Sequence, residues 1–447
     1  MRILFVTHFF PPTHWAGTEI YTYKVAKELQ EQGHSVRVLC AEGWTDGSQY
    51  WNGSTDGTFD GIPVTRLSLN WRLAPDPFGY LYRNPVVQSF VEGFLVDTQP
   101  DLVHLTSAYS LSGSVIEAAK RHPVPIVVTL ADFWFVCPRV NLIHANGEEC
   151  DGLVCPWECI RCKMWDSKAY RLTSKAMPEP VQQVLFTWIG RHPALARQRG
   201  LRGMVGDIAD RRAYLIGQLN QANLVILPSA FLRERFTDHG VDPDRIRVLP
   251  WGVDRDWART MSRREQYRAS TIGYIGRIVP IKGVHVLIQA FLKLKGPGEL
   301  HIYGGLDEDA DYVNTLGDLV GEDLRVKFCG RYSYNQLGDV LSSIDVLVVP
   351  SICSETFCLT AREGIIAGIP VVASRIGAIP EAISHGEDGF LFSPGNVEEL
   401  ASYLHLIMSD PVLWRRLRQD NNSVKTVGQE VRQLMELYAT VVRNDGS

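Results

Sequence analysis

No apolar run in this chain approaches the roughly 18 residues a bilayer-spanning helix needs, so no such helix is expected. The N-terminus, MRILFVTHFFPP, lacks the charged and small-residue flanks of a signal peptide and reads as a first buried strand. Excess charge is also scarce. Forty-five Lys and Arg against 50 Asp and Glu leave a net −5, which gives no global attraction to nucleic acid. These absences point to a cytoplasmic location, where the nine cysteines would be mostly reduced. What is present is the 45% hydrophobic and 21% charged composition of a soluble globular protein. At 447 residues the chain can bury two cores, so two domains are expected.

Strands and helices alternate along the chain. The segments ILFVTHF, SVRVLCA, VTRLSL, LVHLTSA, IVVTLAD, LVILPS and IRVLPWG read as strands of the first half. IGYIGR, ELHIYGG, RVKFCG, DVLVVPS, PVVAS and GFLF repeat the logic in the second. Such alternation predicts parallel sheets covered by helices on both faces, in two tandem doubly wound domains. The polar stretch 252–268 reads as the hinge, dividing the chain at 1–255 and 256–423.

The segment SETFCLTARE (354–363) is the most informative stretch. It sets Glu355 in a loop after a buried strand and Glu363 inside the following helix, so that both can face one cleft. The N–H groups around Phe357, Cys358, Leu359 and Thr360 open that helix, and its positive end points at whatever sits there. The arrangement suits a ligand that is both anionic and rich in hydroxyls, since carboxylates accept hydrogen bonds from sugar or ribose. Upstream, Arg277 and Lys282 lie on a loop opening another helix, in STIGYIGRIVPIKGVHVLIQAF, and form a phosphate clamp that needs no metal. The alternative reading is ordinary surface charge.

Together these motifs resemble the retaining glycosyltransferases of family 4, which have the GT-B fold: two Rossmann-like domains facing across a cleft. The resemblance rests on Gly276-Arg277 followed by Lys282-Gly283, on Glu355 and Glu363 with seven residues between them, and on the strand, loop and helix at 2–39. It implies an N-terminal acceptor-binding domain, a C-terminal nucleotide-sugar domain, and a last helix, near 424–442, packing back on the first. It implies catalytic roles for Glu355, Arg277 and Lys282, with Glu355 on the hydroxyls of the transferred sugar and Glu363 on the ribose. The base would lie along the strand end Phe328–Arg331. Gly17, in HWAGTEI, would let the backbone approach the phosphates. The family's first Gly there is Ala16, a usual Gly is Cys358, and Thr106 and Ala131 stand where His is frequent. His104 and Asp132 are retained on the sugar side, His104 having the alternative of a core histidine. The implied reaction moves a sugar from a nucleotide diphosphate sugar to a glycan, a lipid-linked or a small-molecule acceptor. A sugar-nucleotide epimerase and an inactive binding protein are the alternatives.

The stretch 133–204 reads as a partly helical, Cys-rich insertion in the first domain. Cys150, Cys155, Cys159 and Cys162 have spacings that suggest structural zinc or an iron–sulfur cluster, with Cys137 as a spare and buried thiols as the alternative. No cofactor is expected for the chemistry itself. Residues 161–215 hold eleven Lys or Arg and four Asp or Glu, interleaved with apolar groups, compatible with a surface that rests on anionic lipid.

Overall fold

The computed structural model describes residues 1–43, 47–144, 147–153, 156–165, 170, 177–196, 198, 202–259, 261, 268–418 and 424–445. The chain forms two units, Met1–Pro250 with Gly428–Ser447, and Trp251–Val427.

The first unit holds β1 (Arg2–Thr7), β2 (Ser35–Glu42), β3 (Trp51–Phe59), β4 (Ile62–Leu69), β5 (Leu102–Leu105), β6 (Ile126–Thr129), β7 (Leu224–Leu227) and β8 (Ile246–Val248). They make one sheet in the order β3-β4-β2-β1-β5-β6-β7-β8. Every pair is parallel except β3 with β4. β3 was not among the expected strands. Its residues, WNGSTDGTF, are largely exposed and polar, and it is an edge held to β4 by a hairpin at Asp60-Gly61. Both turn residues have positive φ, 48° and 79°, the geometry that Asp-Gly favours in a tight hairpin.

The second unit holds β9 (Thr271–Ile275), β10 (Glu299–Tyr303), β11 (Val326–Gly330), β12 (Val346–Val349), β13 (Val371–Ser374) and β14 (Gly389–Phe392). Their order is β11-β10-β9-β12-β13-β14, parallel throughout. The apolar runs follow from burial on both faces. In β12, Val346 and Val348 join the core on one side of the sheet, and Leu347 and Val349 join the core on the other.

Each sheet reverses its direction of growth once. The first does so between β1 and β5, the second between β9 and β12. Connections leave such neighbours in opposite directions, which opens a crevice at their C-terminal ends. The β6–β7 connection carries helices Pro156–Met164 and Glu179–Gly190 around a small core of Ile160, Phe186, Ile189 and Val205. Among the described residues no helix is long and apolar enough to cross a membrane.

Candidate functional site

In the second unit, the loops after β9 and β12 meet at the reversal point. After β9 the chain passes Gly276 and Arg277 into a short turn, Pro280–Lys282, and then the helix Val284–Leu292. Gly283 between them has φ 70°, and a Cβ there would lie 1.9 Å from the Pro350 carbonyl oxygen. Only glycine lets this turn press against the end of β12. Lys282 is thereby delivered to Glu355, Nζ to Oε1 2.6 Å, although 73 positions separate them in the chain. The Ser351 hydroxyl donates to the same oxygen at 2.6 Å. A second glycine, Gly377 at φ 58°, backs the Glu355 loop; a Cβ there would meet the Glu355 carbonyl oxygen at 2.4 Å.

Burial alone would raise the Glu355 carboxyl. The Lys282 charge and hydrogen bond, with Ser351 and Arg277, outweigh it and hold the carboxyl below its ordinary value. Burial likewise opposes the Lys282 charge, and Glu355 more than restores it. The pair is therefore ionised. Arg277 is exposed beside it, so two cations and one carboxylate face the crevice.

The helix Leu359–Ile366 starts from Cys358, whose φ of 59° and ψ of 75° place it in the left-handed region. Glycine adopts that conformation without strain, so the cysteine carries a cost of about 1 kcal/mol. Phe357 is buried between the Trp251 ring and the Arg362 guanidinium, the latter 3.7 Å from its ring centre. Arg362 also donates to the Phe357 carbonyl oxygen, and so pins the loop at the helix entrance. Arg362 was not expected at the site. It sits next to Glu363 in a helix that reads as surface charge, and nothing in the sequence marks it as buried.

Glu363 is buried, and its carboxyl is pushed up to about 7 by burial and by the nearby charge of Asp254. Its charge in turn reaches Tyr332 and Tyr334. A carboxyl in this setting can accept from or donate to hydroxyls. Arg331, at the end of β11, pairs with Asp307 at 2.7 Å and stands at the rim of this unit. The structure thus brings Arg277, Lys282 and Glu355 together. Phe357, Cys358 and Leu359 lie at the helix entrance and Glu363 within the helix.

In the first unit, Gly17 opens the helix Gly17–Glu31 after the β1 loop. Two residues on, Glu19 is buried against His8, Nε2 to Oε1 3.1 Å. Burial would raise its carboxyl, and the His8 bond and charge hold it down. Asp132, past β6, accepts from the Trp134 N–H at 2.8 Å and is raised by burial, with His8 and Arg211 opposing. Half-buried His8 and buried Glu19 thus form a pair at the start of this helix, which the sequence did not mark. His104 is a correction. Its Nδ1 lies 2.5 Å from the Tyr438 hydroxyl and its Nε2 2.7 Å from the Thr129 hydroxyl. It is fully buried, and burial pushes its pKa down to about 3, so it is a neutral core residue tying β5 and β6 to the last helix. Thr106 is likewise occupied, with its hydroxyl 2.8 Å from that of Thr22.

The cysteine expectation divides. Cys155 lies outside the described residues. Cys162 donates to the Ile143 carbonyl at 3.6 Å, and Cys150 accepts from the Gly152 N–H at 3.3 Å. Burial raises the Cys150 thiol to about 11 and the Cys159 thiol to about 12. Among the described residues no group of three or more His, Cys, Asp or Glu is arranged to hold a metal ion. Cys137, Cys150 and Cys162 all help to raise the Cys159 thiol, so these thiols are neighbours, while the fourth expected ligand lies outside the described residues.

Comparison with known proteins places this geometry. Residues 269–410 match the family Glycosyl transferases group 1, and residues 16–156 match the Glycosyl transferase 4-like domain. The MMP alpha-(1->4)-mannosyltransferase of Mycolicibacterium hassiacum is 25% identical over 91% of this chain and 89% of its own length. A D-inositol 3-phosphate glycosyltransferase of Corynebacterium efficiens is 32% identical, over 41% of this chain and 47% of its own. Among solved structures, Anabaena Alr3699/HepE in complex with UDP superposes at a TM-score of 0.67 and 19% identity, over 98% of this chain and 100% of its own. The two matched regions hold Gly17 and its helix in one unit and the Arg277, Lys282 and Glu355 cluster in the other. The chain belongs to the group 1, family 4-type glycosyltransferases, with the GT-B fold.

Proposed function

We propose that the chain is a retaining hexosyltransferase, moving a sugar from a UDP- or GDP-sugar to an acceptor hydroxyl in polysaccharide, surface-glycan or lipid-linked glycan synthesis. The observation that carries the reading is the Lys282, Glu355 and Ser351 network beside Arg277. Cleavage of the bond between the sugar's C1 and the diphosphate oxygen leaves negative charge on the leaving group. Fixed charge aimed at that group is the largest catalytic term available. Arg277 and Lys282 supply it, so the chemistry has no requirement for a metal. Glu355, ionised and braced, takes hydrogen bonds from the sugar's hydroxyls. Glu363 holds the ribose, and the protonated form favoured by burial gives it a donor as well as an acceptor.

The acceptor oxygen bonds C1 on the face that the phosphate leaves, and its proton passes to the departing phosphate oxygen. No side chain need act as base. The relatives named as a mannosyltransferase and a D-inositol 3-phosphate glycosyltransferase support a hydroxyl acceptor. The basic β6–β7 connection supports a lipid-linked one, met at the inner face of the cell membrane.

Product analysis with labelled UDP- and GDP-sugars tests the reading, with the anomeric configuration assigned by NMR. The expected product is a glycoside with the donor's configuration. An inverted glycoside would overturn retention, and a rearranged nucleotide sugar would make the chain an epimerase.

A further inference from the structure

The helix Glu179–Gly190 is apolar on two sides. Phe186 and Ile189 turn inward and pack with Ile160 and Val205. Val181, Val184, Leu185 and Trp188 follow the i, i+3, i+4, i+7 spacing of one helix face. They are 52%, 68%, 38% and 51% exposed. Trp165 and Met177 nearby are exposed as well. The inward face packs into that small core, and the outward face is exposed.

Charge identifies what covers that face. Residues 161–215, eleven Lys or Arg and four Asp or Glu, carry +7 in a chain whose total is −5, which leaves −12 for the rest. Arg191 and His192, directly after the helix, are exposed. The occupant must therefore offer an apolar layer bordered by negative charge. A second copy of this acidic chain offers the apolar stripe but brings the same positive segment with it. A bilayer containing anionic lipid offers both features, and tryptophan is favoured at the level of its headgroups.

We propose that the helix Glu179–Gly190 lies on an anionic membrane, with Val181, Val184, Leu185 and Trp188 in the acyl boundary and the exposed Arg191 and His192 at the headgroups. This names the surface for the membrane-side acceptor suggested above, yet it stands or falls apart from the transfer reaction.

Flotation of the full chain with vesicles tests it. Wild type is expected to float with phosphatidylcholine vesicles containing 30% phosphatidylglycerol, about tenfold more than with phosphatidylcholine alone, and to be released by salt. Val184→Glu with Trp188→Glu should lower partitioning by about tenfold or more. Its thermal transition and its nucleoside diphosphate binding should match wild type. Arg191→Glu should weaken flotation while leaving the apolar stripe in place. Flotation unchanged in the double variant would overturn the proposal, as would equal binding to neutral and anionic vesicles. Absence of flotation in a wild type whose dimer is abolished by the double variant would assign the face to a second copy. Nucleotide binding in solution reports on the transfer site alone, so failure of one reading is distinguishable from failure of the other.

Discussion

The two sheets reverse direction at equivalent places, yet the two reversal points hold different chemistry. Between β9 and β12 stand Arg277, Lys282 and Glu355, charged, hydrogen-bonded and open to the crevice. In the first sheet, His104 on β5 is sealed between Thr129 and Tyr438 and kept neutral. The other polar groups there lie past the strand ends, where His8 on the β1 loop pairs with Glu19 in the first helix and Asp132 accepts from the Trp134 N–H. One topology therefore offers two crevices lined by different side-chain charge. The second has two cations. The first has carboxylates and a histidine, which suit hydroxyls rather than phosphate.

The largest test of that contrast removes its cations. Arg277→Ala with Lys282→Ala should weaken nucleoside diphosphate binding by about a thousandfold in calorimetry, since each charge-assisted bond is worth roughly 1.5–3 kcal/mol. Loss of Lys282 also leaves Glu355 unpaired, so Lys282→Met with Glu355→Gln provides a control for that penalty.

Next comes Glu363. Its folded value of about 7 lies above an ordinary carboxyl. Between the two values the native state keeps a proton that the unfolded state has lost. Stability therefore falls as pH rises through that window, and the penalty is complete above about pH 7. Glu363→Gln should remove the slope and stabilise the ligand-free protein at pH 8 by about 3 kcal/mol, while leaving pH 4 nearly unchanged. Denaturant midpoints at the two pH values check this.

Glu355→Gln sharpens the contrast from the other side. It should cut kcat by about a hundredfold while nucleotide affinity stays within about threefold, since the proposed function sets this group on the sugar rather than on the phosphates. His104→Ala should do the reverse. It should lower stability by about 2 kcal/mol, through lost packing and a stranded Tyr438 hydroxyl, and leave nucleotide affinity unchanged. Arg331→Ala, at an exposed ion pair, should lower affinity by less than about fivefold.

Much of the fold was legible because these strands are buried on both faces and read as short apolar runs. β3 was not, since an exposed edge strand has no apolar pattern to read; Asp60-Gly61 was its one signal. Lys282 and Glu355 could be named from their motifs, but a contact across 73 residues exists only once Gly283 and Gly377 let the loops close. Arg362 stayed hidden because its burial depends on Phe357 and Trp251, neither of which marks it in the sequence. His104 shows the converse. Residue type permits a ligand or a core role, and only its two hydrogen bonds decide.

The second reversal point is proposed to bind a nucleoside diphosphate through protein charge. Calorimetry of the wild-type protein with UDP, GDP, ADP and TDP, each in the presence of EDTA, tests it most directly. Selective binding of one nucleotide is expected, with an affinity that EDTA does not alter. Binding of none of the four, or binding abolished by EDTA, would contradict it.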